Sequence, residues 1–131
     1  MTSKNQLAIF VVSAMFAVAS SAHSATPSFD CAKARTATEI RICQSPRLAE
    51  LDNVLAAGYA FLKSTRGRAA ADQIGIPYWR LITQCDGGQE CIGRRQIDEI
   101  TALRAAGAPI SIPAWADKNG SVAPDPVVSL R

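Results

Sequence analysis

Four cysteines, Cys31, Cys43, Cys85 and Cys91, are the residues of this chain best equipped for chemistry, and their surroundings decide which chemistry that is. A thiolate nucleophile needs a neighbouring base, and a zinc site needs ligands at close spacing. Neither is legible here: the single histidine, His23, stands upstream of all four, and Cys85 and Cys91 are too far apart for a zinc knuckle. Cysteines at helix ends in an exported chain pair instead, so all four read as disulfide residues. Four cysteines allow three pairings, which the sequence does not decide. The local pairs Cys31 with Cys43 and Cys85 with Cys91 are favoured, because each closes a short loop between helical pieces.

The carboxylates Glu50, Asp52, Asp98 and Glu99 are the next candidates, since a hydrolase can work with two carboxylates across a cleft. They sit in helical stretches among polar neighbours, which reads as a solvated face. Gly87-Gly88 lacks the strand-to-helix context of a phosphate loop and reads as a turn. The expectation is a protein that is not an enzyme and holds no catalytic residue, metal or cofactor. The candidate partner-binding residues are Arg66, Arg68, Arg80, Arg94 and Arg95: arginine pairs well with carboxylates and is enriched at interface hot spots, so they suit an acidic surface of a protein partner. A formal charge of +3, one less once Lys4 leaves with the leader, is too mild to argue for nucleic acid.

The compartment follows from residues 1–25. Lys4, an apolar core from Leu7 to Ala19 and small residues Ser20, Ser21 and Ala22 have the order of a signal peptide, with cleavage after Ala22 or Ala25. The apolar core is shorter than the roughly 20 residues of a spanning helix, so no stable membrane insertion is expected after cleavage. A periplasmic or secreted protein is expected. The mature chain of about 105 to 110 residues makes one small domain whose core needs staples.

The elements that position the cysteines are helical. Thr36 and Glu39 have the spacing of a capping box, which starts a short helix ending at Cys43. Ser45-Pro46 then caps and starts a second helix, in which Leu48, Leu51, Leu55, Tyr59 and Leu62 recur at spacings of three and four. Arg66-Gly67-Arg68 ends it. From Ala69 to Cys85 the period returns with Tyr78, Leu81, Ile82 and Cys85, but Gly75 and Pro77 predict a broken or late-starting helix. Asp86-Gly87-Gly88 is a turn, and Cys91 opens a last helix with Ile92, Ile97, Ile100 and Leu103 as its apolar positions. The fold class expected is all-α: a disulfide-stapled helical hairpin or bundle over residues 26–107, held at both ends by the bridges. Pro109, Pro113, Pro124 and Pro126 make residues 108–131 an irregular, extended or disordered tail, in which Ile110, Ile112 and Trp115 either strap the helices or form an exposed motif.

The run Phe29-Asp30-Cys31, Thr38-Glu39, Ile42-Cys43, Leu48, Leu51-Asp52, Leu55 and Tyr59 resembles the LprI-like lysozyme-inhibitor family of secreted bacterial proteins. Trp79, Cys85, Cys91, Ile92, Ile100 and Leu103 are similar to its closing segment. The chain departs from the family's aromatic and arginine after the fourth cysteine, where it carries Gln96 and Glu99. The resemblance implies a helical envelope protein that inhibits a lysozyme by protein–protein contact. A non-enzymatic accessory or structural protein of the cell envelope is the alternative expectation. Common lysozymes are basic, so an inhibitor of this charge meets weak long-range repulsion, which an arginine placed against the two carboxylates of a lysozyme cleft would offset.

Overall fold

Local signals fix the first two helices. In the computed structural model, which describes residues 25–116, Thr36 Oγ1 accepts the Glu39 backbone N–H at 3.1 Å. The Glu39 carboxylate in turn accepts the backbone N–H of Arg35 at 2.9 Å and of Thr36 at 3.0 Å. These bonds, that from Arg35 foremost, hold the Glu39 carboxyl below its usual range. The capping box opens α1 (Ala37–Gln44). Ser45 Oγ then accepts the Leu48 N–H at 3.2 Å, and Pro46 takes the first position of α2 (Pro46–Arg66), where its missing N–H has no intrahelical role. The apolar stripe of α2 is buried at Leu48, Leu51, Leu55 and Leu62, with Tyr59 half-buried against it.

The third helix corrects the expectation of a broken one. α3 (Arg68–Thr83) runs unbroken through Gly75 and Pro77. Pro77 removes the bond that the Gln73 carbonyl would accept, but both residues are exposed, so water can satisfy that carbonyl. Gly75 is there for a close approach: a Cβ would lie 3.2 Å from the Tyr59 ring, so α2 and α3 meet at this point. Tertiary contact along Ala71, Ile74 and Ile82 sustains a helix that propensity alone disfavours. Leu81, expected on the apolar face, is exposed. α4 (Gln89–Ala105) starts two residues before Cys91 and buries Ile92, Ile97, Ile100 and Leu103 as expected.

α2, α3 and α4 all pack on one another, up, down and up, so the described residues form a three-helix bundle with α1 across one end. They contain no strand. Both expected bridges are formed, Cys31–Cys43 and Cys85–Cys91. Their placement differs from the expectation: they staple the same end. Arg41 Nε donates to the Gly87 carbonyl at 3.0 Å, and the Thr38 hydroxyl reaches the Ile82 carbonyl at 3.5 Å, which sets α1 against the α3–α4 turn. The far end, where Arg66 nears Gly107, has no bridge. The physical reason is parity: two antiparallel helices, α2 and α3, separate the cysteine pairs, and the chain returns to where it began.

The segment after Gly107 is a strap as far as Ala116. Ile110, Ile112 and Trp115 pack on the core, and Ile110 fills the gap over Gly58, where a Cβ would lie 2.6 Å from its Cδ1. Trp115 Nε1 donates to Glu50 Oε2 at 2.6 Å, and the Arg47 guanidinium lies 5.1 Å from the ring centroid. Trp115→Ala is expected to cost about 2 kcal/mol, from lost apolar burial and the loss of a charge-assisted bond. Urea unfolding followed by circular dichroism checks this, and a variant as stable as the parent would mean that the strap adds nothing. Residues 1–24, which hold nearly all of the expected signal peptide, and 117–131, the rest of the tail, lie outside the described residues. No helix among the described residues is long and apolar enough to cross a membrane.

Candidate functional site

The five arginines do not form one surface. Arg66 and Arg68 flank Gly67 at the unstapled end of the bundle, whereas Arg94 and Arg95 lie in the first turns of α4 at the stapled end. Arg80 is near that end too, about 18 Å along α3 from Arg68 at the rise of an α-helix. Three are engaged within their own helices: Arg68 with Asp72 at 3.5 Å, Arg94 with Glu90 at 2.7 Å and Arg95 with Asp98 at 3.6 Å. Pairs this exposed contribute little to stability. Sequence proximity suggested a cluster; the up-down-up path splits it.

The carboxylates behave differently from the solvated face expected of them. Glu99 is 7% exposed and points inward on α4, in the stripe Ile92, Gln96, Glu99 and Leu103, at steps of four, three and four residues. That spacing is visible in the sequence and is the signal that would have found it. Burial, and secondarily the negative charge of Asp52, raises the Glu99 carboxyl to about 7. No hydrogen bond or ion pair engages it among the described residues. Glu50 and Asp52 are also committed, Glu50 to Trp115, and Asp52 Oδ2 to the Ser28 backbone N–H at 2.7 Å and hydroxyl at 2.6 Å. The bonds to Asp52, with the Asn53 side-chain amide donating to the Thr26 carbonyl at 2.6 Å, fasten the entering chain to α2.

Asp52, Gln96 and Glu99 line one cavity of about 180 Å³ in which all four helices take part. α2 supplies Asp52, Leu55, Ala56 and Tyr59; α1 supplies Ile42; α3 supplies Trp79 and Ile82. Gly75 lies beside it, close enough that a Cβ there would be in ordinary contact with Glu99 Oε1 at 3.8 Å. Gln96 is 1% exposed and donates from Nε2 to the Leu48 carbonyl at 3.2 Å, but its Oε1 has no partner. An unpaired buried oxygen costs about 1–3 kcal/mol, so this one calls for a donor. The Tyr59 hydroxyl cannot serve, because it donates to Asp72 Oδ1; that bond raises the phenol above its usual range. With Glu99 ionised, the cavity has apolar walls, three acceptor side chains and one further hydroxyl, that of Ser28, which is committed to Asp52.

Its rim is the exposed part of α3. Trp79 is 43% exposed and Ile76, one turn earlier, 45%. A tryptophan left this open beside a cavity is the sort of surface that a partner covers. Among the described residues no group of three or more histidine, cysteine, aspartate or glutamate side chains is placed to hold a metal ion. Two formed disulfides are the mark of an oxidising compartment outside the cytoplasm. No protein-family model matches the chain, and no curated protein or solved structure matches it either.

Proposed function

We propose that this chain is a periplasmic or secreted binding protein that inhibits a lysozyme by surface contact. The observation that carries the reading is the exposed Trp79–Ile76 ridge at the mouth of a cavity lined by Asp52, Gln96 and Glu99. The likeness of Phe29 to Leu62 to the LprI-like inhibitors supports it, and so does the Cys85–Cys91 bridge, which ties the end of the ridge-bearing α3 to α4. The weakly positive net charge is no obstacle at such a site, because the cavity is locally negative and a basic enzyme would meet it with the opposite sign.

The same two carboxylates are the raw material of a glycosidase, which needs an acid and a nucleophile or base flanking the scissile bond. The space beside them argues for binding instead. At about 180 Å³ it falls below the range of about 300 to 1,000 Å³ typical of ligand pockets, and it suits one side chain better than a polysaccharide strand.

The test is lysis of peptidoglycan suspensions by lysozymes of several classes, with and without the oxidised mature protein, at low and moderate salt. Dose-dependent inhibition that is lost on reduction is the expected result. Failure of the folded, oxidised protein to slow any class would overturn the reading and leave the envelope-accessory alternative.

A further inference from the structure

The donors that line the cavity beneath Trp79 are already committed, the Ser28 N–H and hydroxyl to Asp52 and the Tyr59 hydroxyl to Asp72, and the acceptors left over identify what it would hold. Gln96 cannot be turned to relieve its open oxygen, because the Leu48 carbonyl would then face an oxygen in place of Nε2. Asp52 takes both Ser28 bonds on Oδ2, which leaves Oδ1 without a hydrogen bond among the described residues. Glu99 has none. Among the described residues no lysine, arginine or histidine lines the cavity, and the Trp79 indole N–H donates to none of the three acceptors. Two carboxylates and an amide side chain whose oxygen is buried without a partner line a space walled by Leu55, Ala56 and Ile82, and they match an ammonium group on an aliphatic stem: three N–H donors at the tip, methylenes along the shaft.

We propose that this cavity receives the side chain of a lysine presented by a partner protein, its ammonium group bonded by Asp52, Gln96 and Glu99 and its methylenes lying under Trp79. The inference rests on the reading of the chain as a protein-binding module, and it gives that module a chemical specificity. A guanidinium is the weaker match, because its fork is best met by both oxygens of one carboxylate, and Asp52 already commits Oδ2 to Ser28. Water could occupy the space but would leave the charge of an ionised Glu99 without a counter-ion.

The experiment titrates the oxidised protein with Nα-acetyl-lysine methylamide at a pH of about 8, where Glu99 is ionised. Nα-acetyl-norleucine methylamide serves as the uncharged control, and the Gln96 side-chain amide signals in heteronuclear NMR report occupancy. Saturable shifts with the lysine probe alone are expected, weakened about tenfold or more in Glu99→Gln. Gln96→Met is a second variant, expected to lose binding as well. Equal binding of the norleucine probe, or undiminished binding by both variants, would overturn the proposal. The lysozyme assay separates the two levels of inference. Inhibition by the parent that Glu99→Gln retains in full overturns the lysine site and leaves the inhibitor standing. Probe binding without inhibition of any lysozyme supports the site and removes the inhibitor.

Discussion

Serine at all four cysteine positions is expected to leave the domain unfolded or nearly so. The bridges close loops with sequence separations of 12 and 6, each worth about 2 to 3 kcal/mol in the chain-entropy account, so together they supply about 5 of the 5 to 15 kcal/mol typical of a domain. Their placement makes the loss more than a sum. Both act on the end where α1 meets the α3–α4 turn through Arg41 and Gly87, so each bridge presents the surface against which the other's loop is ordered. Removing one pair leaves that contact pinned from one side. Removing both frees α1, and Ile42 leaves the core with it. Urea unfolding of the two double variants and the quadruple variant gives the coupling directly, expected at about 1 kcal/mol or more in the cooperative direction. A quadruple variant within about 1 kcal/mol of the parent would show that the core of α2, α3 and α4 needs no staple.

Stability is also expected to fall as pH rises through the weakly acidic range. Glu99 titrates near its ordinary 4.5 in the unfolded chain and at about 7 in the folded one. Between those values the folded protein keeps a proton that the unfolded chain has released, so its contribution is most favourable below about pH 4.5 and is lost by pH 7. A shift of this size corresponds to a loss on the order of 3 kcal/mol. Glu39 has the opposite sign, since its lowered carboxyl favours folding above its ordinary value, and its contribution is lost in more acidic solution. The windows therefore separate. Glu99→Gln keeps the shape, removes the charge and is expected to flatten the profile between about pH 4.5 and 7.5, with a gain at the upper end. Urea midpoints across that range for the parent and Glu99→Gln test it, and a flat profile for the parent would falsify the burial of an ionisable Glu99.

The two expectations meet at the cavity. A buried carboxylate costs stability unless a cation answers it, so a lysine from a partner would restore at neutral pH what deprotonation removes. The polar groups that share the cavity with Glu99 are Asp52 and Tyr59 of α2, Ser28 of the entering chain and Gln96 of α4 itself; α1 and α3 offer only Ile42, Ile82 and Trp79. Among the described residues no basic side chain lines the cavity to compete for the position.

The sequence by itself determined α1, α2 and the turn that precedes α4. Thr36 with Glu39, Ser45-Pro46 and the turn at Asp86-Gly87-Gly88 are local devices, made of groups a few residues apart, and each forms as read. The apolar stripes of α2 and α4 and the two local bridges were legible for the same reason. Only the tertiary structure decided the rest, since each remaining feature joins residues far apart in the chain. Pro77 and Gly75 weaken a helix locally, yet the approach of Gly75 to Tyr59 and the burial of Ala71 and Ile82 carry α3 through them. The arginines separate and the bridges converge because α2 and α3 reverse the chain between them. Glu99 reads as a surface carboxylate until α2 and α3 close over its stripe; only then do Asp52, Gln96 and Trp79, up to 47 residues away along the chain, become its neighbours. Capping and periodicity act through local bonds, whereas burial and its effect on a charge depend on what the other helices bring.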